Sequence, residues 1–63
     1  MKAVKVEVWF DHYTKCWVAE AMTEEGFQVG EANYTHTKKE AIEYAKEYKL
    51  PIVKYNKQGE IQS

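Results

Sequence analysis

Thr37-Lys38-Lys39-Glu40-Ala41-Ile42-Glu43-Tyr44-Ala45-Lys46-Glu47-Tyr48-Lys49 is the stretch on which the fold turns. Thr37 and Glu40 have the T-x-x-E spacing of a capping box, in which each side chain accepts from the other residue's amide. Ala41, Tyr44, Ala45 and Tyr48 recur at three- and four-residue steps with Ile42 beside them. At about 100° per residue they fill one arc, and Lys39, Glu40, Glu43, Lys46 and Glu47 fill the opposite one. Gly and Pro are absent from the stretch. Pro51 biases Leu50 away from helical geometry, so the helix is expected to end near Lys49. Tyr44, Ala45 and Tyr48 are expected to face a sheet.

Outward from this helix, the flanking segments read as strands. Lys2 to Phe10 alternates, with Val4, Val6, Val8 and Phe10 on one face and Lys5, Glu7 and Trp9 on the other. Asp11 to Lys15 is a polar connector of hairpin length. Cys16 to Met22 is a second strand with two choices of core face: Trp17, Ala19 and Ala21, or Cys16, Val18, Glu20 and Met22. The first keeps Glu20 in water and offers small residues to the helix; a one-residue slip reverses it. Thr23-Glu24-Glu25-Gly26 is a turn with Gly26 free to take positive φ. Phe27 to Tyr34 is a third strand with Phe27 and Val29 facing the core, and Gly30 marks a bulge or a close backbone approach. Pro51 to Tyr55 is a fourth strand with Ile52 and Val53 buried. Asn56 to Gly59 is a turn, and Glu60-Ile61 a short return strand.

The order β-β-β-α-β predicts a single two-layer α+β domain. An antiparallel three-strand meander carries one helix on one sheet face. The fourth strand joins an edge, most simply parallel to the first through a right-handed crossover.

Sixty-three residues limit the core, because a chain this short buries only about 60% of its unfolded surface. Nine aromatic residues, two Trp, five Tyr and two Phe, are expected to compensate by completing that core. The formal net charge of -1 offers no general attraction to phosphate. Cys16 is the single cysteine, which excludes an intrachain disulfide and points to a reducing, cytoplasmic setting. No segment reads as a signal peptide or reaches the roughly 20 apolar residues of a membrane span, so no membrane association is expected.

Two resemblances add to this reading. The words Trp17-Val18-Ala19-Glu20 and Thr37-Lys38-Lys39-Glu40-Ala41, in a strand, strand, helix, strand order, resemble the N-terminal domain of HicB-type antitoxins. That resemblance implies a small protein that neutralises a toxin by binding it. The words Trp9-Phe10-Asp11-His12-Tyr13, Tyr34-Thr35-His36-Thr37 and Ile52-Val53-Lys54-Tyr55-Asn56 are similar to segments of the N-terminal half of ribonuclease H. That fold also begins β-β-β-α-β. The analogy aligns Asp11, Glu43 and Asn56 with catalytic carboxylates. Two-metal hydrolysis needs several carboxylates around ions about 4 Å apart, and Asn56 brings a neutral amide. The analogy therefore bears on architecture more than on activity.

Read locally, Asp11 and Asn56 suit turns and Glu43 suits a solvated helix face. His12 and Cys16 make two ligands where zinc takes four, and Cys16 as a nucleophile needs an electropositive setting and a base, for which His12 and His36 are the candidates but which nothing in the sequence shows either to be. His36, Lys38 and Lys39 cluster at the helix start, but Glu40, Glu43 and Glu47 interrupt any basic stripe. No enzymatic activity, metal or cofactor is expected. The expected function is that of a non-catalytic binding protein that occupies a protein partner, in the manner of a HicB-like antitoxin or a phage-type inhibitor of a host or defence protein. Trp9, Lys5, Glu7, Tyr13 and Tyr44 are the residues expected to make the contact. A strand edge is also open to pairing with a second copy. Binding of RNA or a hybrid duplex by an inactive ribonuclease H-like remnant is the alternative.

Overall fold

The computed structural model describes residues 2–62. The elements run β1 (Lys5–Asp11), β2 (Cys16–Met22), β3 (Gln28–Thr35), α1 (Lys38–Lys46), β4 (Ile52–Tyr55) and β5 (Ile61–Gln62). They form one five-stranded sheet in the order β3-β2-β1-β4-β5 with the helix on one face. β1 pairs antiparallel with β2 and parallel with β4, and β5 closes antiparallel on β4. This is the expected α+β architecture, with the return segment present as a fifth strand.

The β1–β2 register settles the ambiguous strand. Val6 lies opposite Ala21, Val8 opposite Ala19 and Phe10 opposite Trp17. These residues form the core with Ala41 and Ala45 of α1, and Phe10 stands at its margin. The helix meets the sheet through alanines on both sides, so its axis can lie close to the strands. The capping box forms as expected: the Glu40 amide donates to Thr37 Oγ1 (3.1 Å) and the Thr37 amide donates to Glu40 Oε1 (3.2 Å). The Thr35 hydroxyl ties β3 to the helix start by donating to the Thr37 carbonyl (2.8 Å).

Several expectations are corrected. The α-helix stops at Lys46, and the chain continues to Lys49 in tighter turns in which Glu47, Tyr48 and Lys49 donate three residues back. Lys49 takes φ 57°, a left-handed stop before Pro51. Tyr44 and Tyr48 are exposed instead of facing the sheet. Tyr44 lies on the arc that overhangs edge strand β3, where no further strand is available to cover it, and Tyr48 falls in the tightened turn beyond α1. Phe27 precedes β3 at the mouth of the β2–β3 turn and is 60% exposed. Thr23 is buried there instead, its hydroxyl accepting from the Phe27 amide. Val53 alternates onto the face away from the helix and is half-buried, while half-buried Ile52 packs on the core. β1 begins at Lys5, and Val4 is exposed although its amide bonds to Met22. Of the aromatic residues only Trp17 is buried. The fully buried side chains are valines and alanines, because the alanine-lined contact leaves no space for rings.

Gly30 has φ 74°, and the β2–β3 register shifts between Ala19 and Ala21 at this point. The bulge expected there is present and twists the exposed edge.

The alanine contact is the part of the core least able to absorb volume. Ala45→Leu is expected to destabilise the fold by about 1–3 kcal/mol through forced separation of helix and sheet. Thr37→Ala is expected to cost about 1 kcal/mol through loss of the cap. Urea denaturation of the two variants against the parent checks both.

Candidate functional site on the open sheet face

The strand pairings determine what stands on the face opposite the helix. Tyr34 of β3 is opposite Val18 of β2, which is opposite Trp9 of β1. In the parallel pair of β1 and β4, Glu7 lies beside Val53, so Tyr55 follows on the same face beside Trp9; Ile61 of β5 lies opposite Tyr55. A row of apolar and aromatic side chains, Tyr34, Val18, Trp9, Tyr55 and Ile61, thus crosses all five strands. Val18 is 0% exposed although no helix covers it. Its cross-strand neighbours Trp9 and Tyr34 shield it, and this part of the face provides its own cover. The outer members, Tyr34 and Ile61, are 57% and 70% exposed.

The next row is charged. Glu7 of β1 lies directly opposite Glu20 of β2. Facing like charges on neighbouring strands are unfavourable. The structure offsets this with neighbours. The Trp9 indole Nε1–H donates to Glu20 Oε1 at 3.0 Å. Lys5 Nζ lies 3.3 Å from Glu7 Oε2, and the Tyr55 hydroxyl donates to that same oxygen at 3.3 Å. Trp9 therefore lies along the sheet over the diagonal neighbour and is half-buried, and Glu20 is half-buried instead of standing in water. Burial pushes the Glu20 carboxyl above its ordinary value of 4.5, and the Glu7 charge adds to the rise, against the indole hydrogen bond. Burial and then the Glu7 charge likewise push the Tyr55 phenol up.

Glu7, Trp9, Glu20 and Tyr55 line an open groove of about 360 Å³ together with Phe10, His12 and the β4–β5 turn, Asn56 to Gly59. That turn is held by Asn56, whose Oδ1 accepts from the amides of Gln58 (3.0 Å) and Glu60 (2.9 Å). Lys57 Nζ lies 4.9 Å from the centre of the Phe10 ring.

Of the five residues expected to bind, Lys5, Glu7 and Trp9 come together on this face. Tyr13 stands 95% exposed at the tip of the β1–β2 hairpin. Tyr44 is on the helix side and lines a separate groove with Asn33, Glu47 and Tyr48. Glu20, Tyr34, Tyr55 and Ile61 join the site. Glu20 belongs to β2's non-core face and was readable from that choice of face. The alignment of Tyr34 and Ile61 with Trp9 depends on the bulge and on the fifth strand.

The nuclease-like set has local employment. Asp11 accepts from the Tyr13 amide (2.9 Å) and the Thr14 hydroxyl (3.0 Å), Asn56 builds its turn, and Glu43 is exposed on α1. Among the described residues no three His, Cys, Asp or Glu side chains are grouped to share a metal ion. The His12 ring donates to the Lys57 carbonyl and Cys16 Sγ to the Thr14 carbonyl, so each has its own partner. Comparison of the chain with protein-family models, with curated proteins and with solved structures finds no match.

The raised Glu20 carboxyl gives a signed expectation. The folded state holds this proton more tightly than the unfolded chain, so Glu20 favours folding below its unfolded pKa and loses that contribution as pH rises through the folded pKa. Glu20→Gln keeps an oxygen for the Trp9 indole and removes the charge. It is expected to raise the unfolding midpoint at pH 7, with the difference from the parent shrinking as pH falls below 4.5. Thermal melts across pH 3 to 8 check the sign.

Proposed function

We propose that this chain is a non-catalytic binding protein that acts by occupying a protein partner through its open sheet face. The observation that carries this reading is the apolar row Tyr34, Val18, Trp9, Tyr55 and Ile61. It crosses a sheet whose other face is covered by α1, and its two ends are more than half exposed. Tyr and Trp anchors of this kind, with a charged border, are the composition of protein-binding patches. The edges β3 and β5 add backbone groups for strand pairing with a partner or a second copy. Neutralisation of a toxin in the manner of HicB-type domains, or inhibition of a host or defence protein, is the biological form this chemistry takes.

The face does not favour nucleic acid. Aromatic rings on a sheet can stack on bases, but Glu7 and Glu20 stand in the adjoining row and repel a phosphate backbone. No helix among the described residues is long and apolar enough to cross a membrane.

Tyr34 and Ile61 test the reading without touching the core. The immobilised parent chain and the Tyr34→Ser/Ile61→Ser variant are exposed in parallel to lysate of the source cells, and retained proteins are identified by mass spectrometry. A protein held by the parent at micromolar concentration should bind the variant at least about tenfold more weakly, while both chains melt alike. Equal retention by the two chains, or none by either, would overturn the proposal.

A further inference from the structure

The groove beside Trp9 carries more chemistry than an apolar contact needs. Glu7 and Glu20 face each other across β1 and β2, which places their β-carbons about 5 Å apart. The contacts formed among the described residues use one oxygen of each: Glu20 Oε1 takes the Trp9 indole, and Glu7 Oε2 takes both Lys5 and Tyr55. Glu20 Oε2 and Glu7 Oε1 are left to whatever enters. Trp9 and Tyr55 line the same groove.

We infer that this groove receives the guanidinium of an arginine side chain presented by the protein partner, held between the Trp9 and Tyr55 rings and paired with Glu7 and Glu20. The inference rests on the open face being the docking surface, and it names the partner chemistry of that face. Charge complementarity carries it. The two carboxylates stand together with only the Lys5 ammonium paired to them, on Glu7; His12 and Lys57 also line the groove, but the Lys57 ammonium lies over the Phe10 ring and forms no ion pair with either glutamate. The facing carboxylates are unfavourable by themselves, and an incoming cation converts that repulsion into attraction. Burial and the Glu7 charge both raise the Glu20 carboxyl, and a cation bound beside it would act against the second of these.

Geometry selects arginine among cations. A guanidinium is planar, stacks on aromatic faces, sheds water readily and presents donors along several edges, so it can reach two carboxylates at once. An ammonium is a compact, strongly hydrated point charge and matches flanking rings less well. A divalent metal would find two carboxylates where calcium takes six to eight oxygens.

The test uses the intact chain and needs no partner. The indole Nε1–H resonance of Trp9, assigned by its loss in Trp9→Phe, is followed by NMR at low ionic strength. Acetyl-arginine methylamide is added, with the lysine and citrulline analogues in parallel. The arginine probe should shift the resonance saturably in the millimolar range. Citrulline, which keeps the shape and loses the charge, should bind at least about tenfold more weakly, and so should lysine. Glu7→Gln/Glu20→Gln should weaken the arginine probe by a similar factor while leaving the unfolding midpoint at neutral pH no lower. A shift that does not saturate, or an equal response to citrulline or lysine, would sink the inference. Failure here is separable from failure of the docking face: a captured protein lost in Tyr34→Ser/Ile61→Ser but retained by Glu7→Gln/Glu20→Gln keeps the face and removes the arginine.

Discussion

The antiparallel register of β1 on β2 is the constraint from which the rest follows. Setting Val8 against Ala19 and Val6 against Ala21 makes one sheet face small and apolar, and α1 covers it with Ala41 and Ala45. The same register sets Trp9 against Val18 and Glu7 against Glu20 on the other face. Side chains alternate along a strand, so the two faces cannot be chosen separately. A slip by one residue would bury Glu20 under the helix and expose the alanines.

The helix-side core is economical. Alanine against alanine brings the helix close, and the valines of β1 fill what remains. Little room is left for rings, which explains why a chain with nine aromatic residues buries only one of them under α1. The displaced aromatics collect elsewhere. Phe10 stacks edge-on against Trp17 and His12 at the core margin. Trp9, Tyr34 and Tyr55 lie on the uncovered face, where they shield Val18 and border the two glutamates. The packing that stabilises one side thereby supplies the other with the residue types suited to recognition.

The open face balances its own cover against exposure. Trp9 lies flat enough to shield Val18 and to donate to Glu20, yet its ring remains a groove wall. The opposed glutamates are held by a lysine, a phenol and an indole, each a modest contact. An unfavourable arrangement kept on one face of an otherwise consistent fold is a common mark of a functional surface.

The sequence by itself determined the parts governed by local rules. The capping box of Thr37 and Glu40 depends on residues three apart, the alternation of β1 on a period of two, and the turn at Gly26 on its freedom at positive φ. These made the α+β order and the parallel placement of β4 legible. Trp9, Lys5 and Glu7 were legible as one face for the same reason. Tertiary structure decided what depends on residues far apart in the chain. The overhang at edge strand β3 left Tyr44 in solvent, and Tyr48 left the helical arc when α1 tightened after Lys46. The bulge at Gly30 brought Tyr34 into line with Trp9, and β5 added Ile61. The meeting of Glu7 with Glu20 is likewise a matter of register, because pairing makes neighbours of two residues thirteen positions apart in the chain.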